Sequence, residues 1–315
     1  MNIVVLTGGI GGARFLQGVQ RLSGDITAIV NTADDLTLHG LHISPDLDSV
    51  MYTLGGGADR QRGWGRDDET WAVRDELAAY DAEAPWFSLG DKDIATHLMR
   101  TRMMTAGYPL SAVTQALCAR WQPGVRLLPM SDDRVETHVV VEDNDGPRAI
   151  HFQEWWVRHR GEIPTKRFVF TGAGQATAAP GVVEAITAAN LVLIAPSNPV
   201  VSIAPILAVP GIRDALRDGP APVVGVSPII GGAPVRGMAD RCLAVIDVAV
   251  SAEAVGRMYG DRRGEGILDG WLVDRTDATT TVDGVSVAAT PLWMTTPEHT
   301  EAMVRAAAEL VGVTV

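Results

Sequence analysis

The segment from Asn2 to Asn31 constrains the fold of this chain more than any other. Residues 2–6 form an apolar, β-branched run that is typical of a buried strand, and the glycine-rich stretch TGGIGG follows it. The next residues place apolar side chains on one helical face, namely Phe15, Leu16, Val19 and Leu22. ITAIVN predicts a second buried strand. Parallel sheets favour this strand–helix–strand order, so it predicts an α/β fold.

The rest of the chain continues this alternation. Helical spacing occurs in DLDSVMYTL, DDETWAVRDELAAY, DIATHLMRTRMM and LSAVTQALCARW, and Asp67, Asp68 and Asp91 are predicted caps of the second and third helices. VRLLPM, VETHVVV and RAIHFQEW predict strands, and the turn EDNDGP joins the last two as a hairpin. RFVFTG, NLVLIAP and APVVGVSP predict further buried strands.

These patterns predict a doubly wound, mostly parallel Rossmann-like α/β sheet. We expect its strands to come from residues 1–35 and 165–315, which would form the core. Residues 36–164 would then be a largely helical insertion that carries the β-hairpin.

Charge and cysteine content exclude several classes of protein. The net charge of −12 argues against a general nucleic-acid binder, because phosphate affinity needs clustered Lys and Arg. The chain has no apolar run of the roughly eighteen residues that a membrane span needs. Cys118 and Cys242 lie far apart with no metal-ligand spacing, so we expect reduced thiols and a cytoplasmic protein.

The glycine-rich stretch is the first candidate for chemistry. Glycines at Gly8, Gly9, Gly11 and Gly12 let a phosphate approach the backbone at the start of a helix, where N–H groups are free. Arg14, in the first turns of that helix, could pair with such a phosphate. The spacing matches neither the dinucleotide fingerprint nor a Walker loop, so a tight strand-to-helix turn stays open.

Four aspartates within fifteen residues form the second candidate. Asp34 and Asp35 follow the second strand and therefore lie at the carboxyl edge of the predicted sheet, where doubly wound folds bind ligands. Asp46 and Asp48 open the next helix in ISPDLDSV. Carboxylates at such an edge suit Mg²⁺ together with phosphate oxygens. Capping or simple solvation is the alternative for each aspartate.

Three further segments could bind ligands. LGDKD, from Leu89 to Asp93, opens a helix and could hold an anion through Lys92, or could be only a capped helix start. PSNPVVS and SPIIGG each follow an apolar strand, and Ser197 and Asn198 could hydrogen-bond a nucleotide unless these loops are ordinary turns. FQEWWVRHRGE could stack on a planar ring through Trp155 and Trp156, or could be hairpin core.

Several reaction classes lack their motifs here. The sequence has no G-x-S-x-G elbow, no H-E-x-x-H and no C-x-x-C pair. Carboxylates and glycine loops remain, and they fit metal-assisted transfer at phosphorus, in which positioning and charge neutralisation dominate.

Taken in order, these motifs resemble the 2-phospho-L-lactate transferase family of coenzyme F(420) biosynthesis. The resemblance rests on TGGIGGARFLQGV, VNTADDLTLHGLHISPDLDSVMYTL, GWG, LGDKDIATHLMRT, LPMSDDRVETHV, IHFQEWWVRHRGE, APSNPVVSIAPIL and VSPIIGGAPVRGMADRC, and covers nearly the whole chain.

The resemblance implies an Mg²⁺-dependent transferase, with a homodimer as the usual assembly. Its donor is a guanylylated three-carbon phospho acid. This donor is lactyl-diphosphoguanosine in the archaeal type and enolpyruvyl-diphosphoguanosine in the actinobacterial type. The composition of this chain resembles that of the actinobacterial type. Its acceptor is the deazaflavin alcohol 7,8-didemethyl-8-hydroxy-5-deazariboflavin, and GMP leaves.

The resemblance also implies roles for individual residues. It places the nucleotide at Gly8, Gly9, Gly11, Gly12, Arg14, Ser197, Asn198 and Pro199. It places the acceptor at Asp35, Asp48, Gly90, Asp91 and Lys92, and the metal and the catalytic carboxylates at Asp46 and Asp48. The family often has Lys at the position of Arg14. The positive charge is the same in both, but the guanidinium of Arg can donate two parallel hydrogen bonds where the ammonium of Lys is a single point charge.

Two alternatives stay open at this point. A non-catalytic guanine-nucleotide-binding regulator would share the glycine loop and the sheet, but it would not need four carboxylates beside them. A related nucleotide-diphosphate transferase would act on another alcohol and would not bind the deazaflavin.

Overall fold

The computed structural model describes residues 1–22, 25–59, 61–81, 86–143 and 146–315. The strands are β1 (Asn2–Thr7), β2 (Asp25–Val30), β3 (Leu36–Leu38), β4 (Leu41–Ile43), β5 (Arg126–Pro129), β6 (Glu136–Asp143), β7 (Gly146–His151), β8 (Thr165–Thr171), β9 (Leu191–Ile194), β10 (Val223–Val226), β11 (Ile229–Ile230), β12 (Ala233–Pro234), β13 (Gly270–Val273) and β14 (Ser286–Ala289). The α-helices are α1 (Gly9–Val19), α2 (Pro45–Leu54), α3 (Ala72–Ala79), α4 (Asp91–Thr105), α5 (Leu110–Trp121), α6 (Val182–Thr187), α7 (Ala204–Ala208), α8 (Ile212–Asp218), α9 (Ala239–Val245), α10 (Ala252–Tyr259) and α11 (Pro297–Leu310). Two π-helical turns span Glu154–Arg158 and Pro199–Ile203.

Seven parallel strands form the central sheet in the order β14-β13-β10-β9-β1-β2-β5. From β1 the chain first builds outward through β2 to β5, and later returns to add β9 on the other side of β1. The strand order therefore reverses between β1 and β9. Doubly wound sheets bind their ligands in the crevice at such a point, beyond the carboxyl ends of the strands. The predicted fold class is confirmed.

Alternating side chains of β1 enter two cores, one on each face of the sheet. Ile3 and Val5 pack in a cluster that includes residues of α1, α2, α5 and α11. Val4 and Leu6 pack in the opposite cluster, which includes residues of α6 to α10. Each fully buried aliphatic side chain of this kind contributes about 1.5–3 kcal/mol. Burial on both faces explains why the strands read as continuous apolar runs.

Residues 36–164 contribute one strand to the central sheet as well as strands to the smaller sheets. Strand β5 lies within residues 36–164, yet it pairs with β2 in the central sheet. Strands β3 and β4 form a small hairpin, and β7, β6 and β8 form a separate antiparallel sheet. The division into a core and an insertion stays a prediction.

The segment RFVFTG forms a strand as predicted, but it is not a buried strand of the central sheet. It is β8, which pairs antiparallel with β6. Phe168 and Phe170 pack partly buried against the core, while Arg167 before them and Val169 between them are exposed. One face of this small sheet meets solvent, so the side chains alternate instead of being buried on both faces.

The predicted hairpin of VETHVVV and RAIHFQEW is confirmed by the pairing of β6 with β7. The turn residues Asn144 and Asp145 lie outside the described residues. The second strand ends at His151, and a π-helical turn follows. Trp155 is fully buried there, and its Nε1 donates to Oγ1 of Thr165 at 2.8 Å. For Trp155 the hairpin-core alternative is therefore confirmed.

The caps at the starts of α3 and α4 differ from the predicted ones. Helix α3 begins at Ala72, beyond Asp67 and Asp68, so these two residues do not cap it. The carboxylate of Asp91 instead accepts from the backbone N–H groups of Ala72 and Val73, at 3.1 and 3.0 Å. Glu69 in turn accepts from the first N–H groups of α4, at residues 92 and 93. Each helix start thus obtains its acceptor from a residue distant in sequence.

Among the described residues, no single helix is long and apolar enough to cross a membrane. One bent pair, Pro199–Ala208 with Ile212–Asp218, meets the length and composition required. Its apolar side chains Ile203, Ile206 and Ile212 are fully buried in the core described above.

Candidate active site

The glycine loop lies at the reversal point of the sheet and is tied to the loop after β9. The hydroxyl of Ser197 donates to the carbonyl of Gly8 at 2.7 Å and accepts from the Gly8 N–H at 3.2 Å. Helix α1 begins at the next residue, Gly9, whose φ is +65°. Ser197 therefore joins the ends of β1 and β9 and fixes the entry of the chain into α1.

Two of the predicted nucleotide-binding glycines allow protein atoms to approach closely. A Cβ on Gly12 would lie 1.8 Å from Oγ1 of Thr7 and 2.8 Å from Oγ of Ser197. A Cβ on Gly8 would lie 2.6 Å from Oδ2 of Asp46. Gly11 is less crowded, since its nearest neighbour would be the carbonyl oxygen of Pro196 at 3.4 Å. Gly8 and Gly12 are thus needed for packing around the loop.

Gly12→Ala is expected to destabilise the protein by at least about 2 kcal/mol, because the added methyl must displace Thr7 at the end of the central strand. Gly11→Ala is the matched control, one residue away in the same helix. It should leave stability unchanged or raise it by about 0.5–1 kcal/mol, because alanine favours helix. Urea unfolding at neutral pH measures both variants. Equal stability of the two would contradict this packing role of Gly12.

Asp46 lies beside the glycine loop, although it belongs to α2. Its Oδ2 accepts from Nδ2 of Asn31 at 3.0 Å, and the backbone N–H of Gly9 also hydrogen-bonds to its carboxylate. Burial raises the pKa of Asp46 to about 6, the charge of Asp35 acts in the same direction, and the Asn31 and Gly9 hydrogen bonds act against it. A carboxylate of α2 thus occupies the start of α1, where the helix dipole favours negative charge.

Asp34 and Asp35 add two more buried carboxyl groups at this edge. Burial raises the pKa of Asp34 well above its usual value, and the neighbouring charge of Asp46 raises it further. Burial also raises the pKa of Asp35, although its Oδ2 accepts from Ser44 at 2.6 Å and lies 3.0 Å from Nε2 of His42. The Oδ1 atoms of Asp34 and Asp35 are buried without a hydrogen-bond partner among the described residues.

Asp48 lies in a different environment from Asp46. It forms a buried ion pair with Arg100 of α4, whose side chain is 1% exposed. His97 of the same helix lies 3.6 Å from Oδ2 of Asp48. Residues two apart on a helix point to different sides, so the structure does not bring Asp46 and Asp48 together. Asp48, Asp93 and His97 do have ligand spacing for a metal, but Arg100 already supplies positive charge to Asp48.

The loop after β9 uses most of its polar groups internally. Oδ1 of Asn198 accepts from the N–H groups of Val200 and Val201 at 3.0 and 3.3 Å, and its Nδ2 donates to Sγ of Cys242 at 3.4 Å. Pro199 is buried as the first residue of the π-helical turn. These contacts shape the floor of the crevice. They leave Asn198 less free to bind a base than its sequence position indicates.

The predicted acceptor residues fall into two groups. Gly90, Asp91 and Lys92 lie at the junction of α3 and α4. There Asp91 caps α3, Nζ of Lys92 donates to the carbonyl of Asp67 at 3.3 Å, and a Cβ on Gly90 would lie 2.1 Å from Cδ of Glu69. Asp35 and Asp48 instead both lie near the charge of Arg100. The structure thus separates the LGDKD residues, as a helix junction, from the buried aspartates.

Two residues of this site were missed by the sequence reasoning. Asn31 directly follows β2, and its amide is shared between Asp46 and the backbone N–H of Ala33. Its place after a buried strand was a usable signal, because the carboxyl edge is where ligands bind. Arg100 had no such signal, since one arginine on an amphipathic helix is ordinarily solvated.

A parallel sheet with a glycine loop and buried carboxyl groups at its reversal point is typical of α/β enzymes that bind phosphorylated ligands. The family model for the 2-phospho-L-lactate transferase CofD matches residues 3–292. The chain belongs to this family, and it is therefore a transferase. This confirms the resemblance seen in the motifs.

The curated relatives carry a more specific name. Proteins named phosphoenolpyruvate transferase are 60% identical in Mycolicibacterium smegmatis, 61% in Nocardia farcinica and 60% in Thermobifida fusca. These alignments cover 98–99% of this chain and 95–99% of the relatives. Protein BH3568 from Bacillus halodurans has a similar solved structure, with a TM-score of 0.62, 19% identity, and coverage of 98% of this chain and 99% of that one. That similarity concerns the fold alone.

Proposed function

We propose that the protein transfers a phosphoenolpyruvyl or 2-phospho-L-lactyl group from a guanylylated diphosphate donor to the ribityl hydroxyl of a deazaflavin alcohol, with release of GMP. The product would be a precursor of coenzyme F(420). Relatives about 60% identical over nearly the full chain, named phosphoenolpyruvate transferase, support the enolpyruvyl group. One observation carries the proposal, namely that the buried carboxyl group of Asp46 lies against the glycine loop and that of Asp34 lies close to it.

The residues present fit a divalent cation. Asp34, Asp35 and Asp46 are carboxyl groups whose pKa values burial raises, and the charges of Asp46 and Asp35 raise the pKa of Asp34 further. The Oδ1 atoms of Asp34 and Asp35 lack a partner among the described residues. Buried carboxylates of this kind are stabilised by a metal ion. We infer that Asp34 and Asp46 would hold Mg²⁺, in place of the pair Asp46 and Asp48 predicted from sequence. Bound there, Mg²⁺ would neutralise charge on the diphosphate oxygens.

The chain's own residues would then position and deprotonate the acceptor. The hydroxyl oxygen of the acceptor attacks the phosphorus that bears the three-carbon acid, a new P–O bond forms, and the diphosphate P–O bond breaks to release GMP. The hydroxyl proton passes to a carboxylate oxygen of Asp46 that does not hold the metal. Asn31 and the Gly9 N–H hold that carboxylate in place. The reaction thus depends mainly on positioning and charge.

The direct test mixes the protein, Mg²⁺, the enolpyruvyl- or lactyl-diphosphoguanosine donor and the deazaflavin alcohol. We expect GMP and the transferred product to form in equal amounts, faster with one donor than with the other. Fluorescence titration with the deazaflavin measures acceptor binding separately. Nucleotide binding without GMP release would indicate the non-catalytic regulator. GMP release without deazaflavin binding would indicate a transferase for another alcohol.

A further inference from the structure

Two arginines, Arg14 and Arg236, lie close enough to each other for their charges to interact. Arg14 lies in the first turns of α1 and is half-buried, and Arg236 is exposed in the loop after β12. Burial lowers the pKa of Arg14, and the positive charge of Arg236 lowers it further. Neither guanidinium forms an ion pair or a hydrogen bond with a described residue. The two positive charges therefore interact unfavourably, and neither has a carboxylate partner among the described residues.

Gly63 brings Arg236 to this position. A Cβ on Gly63 would lie 2.9 Å from Nη1 of Arg236 and 3.8 Å from Cδ1 of Ile10, and the φ of Gly63 is +79°. Arg236 and Ile10 thus both approach one point on the backbone of the segment 61–66. Ile10 and Arg14 are four residues apart on α1, so they lie on the same face of the helix. Three distant parts of the chain therefore meet beside the first turns of α1.

The overall charge makes this arrangement informative. The chain carries 38 acidic and 26 basic residues, so carboxylates are abundant. Other arginines form ion pairs with these carboxylates, for example Arg100 with Asp48 and Arg262 with Asp269. Two adjacent unpaired guanidinium groups cost free energy that a bound anion would recover, and the fork of each guanidinium matches an oxyanion.

We propose that Arg14 and Arg236 together bind an anionic group of the donor, with Gly63 leaving room for the guanidinium of Arg236. This proposal rests on the proposed function for the identity of the ligand. The group would be an oxyanion, either the diphosphate or the carboxylate of the three-carbon acid. Arg236 thereby becomes a donor-binding residue contributed by the C-terminal half of the chain.

Calorimetric titration in Mg²⁺ without the acceptor tests this, because no turnover is needed. The titrants are GDP, which has the diphosphate alone, and the enolpyruvyl donor, which has the carboxylate as well. Arg236→Met should raise the Kd of the donor by about tenfold to a hundredfold, the loss expected for a charged hydrogen bond. Arg236→Lys should recover part of the affinity. Arg167→Met, an exposed arginine on the antiparallel sheet, changes the net charge equally and is the matched control.

The outcomes separate the two oxyanions. If GDP and the donor both weaken, the arginines bind the diphosphate, and if only the donor weakens, they bind the carboxylate. Donor and GDP affinities that match those of Arg167→Met would overturn the proposal. If the wild-type protein releases no GMP but Arg236→Met still weakens GDP, the anion site stands and the proposed transfer fails. Thermal unfolding of each variant confirms that it is folded.

Discussion

Asp46→Asn is expected to reduce turnover by at least about a hundredfold while leaving the protein folded. Asp46 is the carboxylate that joins α2 to the glycine loop and to Asn31. Its loss would remove a metal-binding charge and the proposed proton acceptor together, and single groups of this kind typically contribute about 10²–10⁴-fold. Single-turnover measurement of GMP release at saturating donor and acceptor checks the result. Turnover within tenfold of wild type would contradict the assignment.

The same variant should change stability with a defined pH dependence. Burial raises the pKa of Asp46 to about 6 from a usual value of 3.8, so between these pH values the folded state binds a proton that the unfolded state releases. The contribution of Asp46 to stability is therefore lost as the pH rises through this window. Without metal, the stability of Asp46→Asn relative to wild type should rise by about 2.5 kcal/mol from pH 4 to pH 8.

Urea unfolding in EDTA at both pH values measures this difference. Repeating it with Mg²⁺ should restore stability to the wild type at pH 8 and not to the variant, because a ligand stabilises only the state that binds it. A stability difference that stays constant with pH would show that Asp46 is not destabilised by burial.

Arg100→Met is expected to destabilise the protein by about 3–5 kcal/mol, because it leaves Asp48 buried without its partner. Asp48→Asn should be costly for the converse reason, since Arg100 is then buried without its carboxylate. On sequence alone, Asp48→Asn is a change that stops turnover and spares the fold. The buried ion pair alters that expectation, because loss of activity would follow loss of stability.

The double variant Asp48→Asn/Arg100→Met separates the two explanations. It removes both charges, so it should recover most of the stability lost in either single variant, and a double-mutant cycle gives the coupling. If Asp48 only positions α2 against α4, the folded double variant should keep measurable turnover. A stable but inactive double variant would support Asp48 as a catalytic group, and additive stability losses would contradict the coupling.

Local sequence predicted the strands, helices and loops of this site better than it predicted which residues they contact. The glycine loop, the strands β1, β2, β9 and β10, and the position of Asp34 and Asp35 at the carboxyl edge all follow from periodicity and from residue type. Asp91 was also recognised as a cap, but of the wrong helix. Capping needs only an acceptor near free N–H groups, and nothing in the sequence states which helix will lie nearby.

The grouping of the carboxylates could not be predicted for a similar reason. Asp46 and Asp48 are neighbours in sequence, yet the helix turns them apart, Asp46 toward Asn31 and Asp48 toward Arg100. The proximity of Arg14 to Arg236 likewise depends on a loop more than two hundred residues away in the sequence.

The sequence by itself determined the parallel α/β fold, the family and the kinds of side chain at the carboxyl edge, because these depend on periodicity and on local motifs. Only the tertiary structure decided which charges meet, since the free energy of a buried charge depends on partners brought together by long-range packing. The carboxyl groups of Asp34 and Asp46 are brought close together, whereas Asp48 is paired with Arg100.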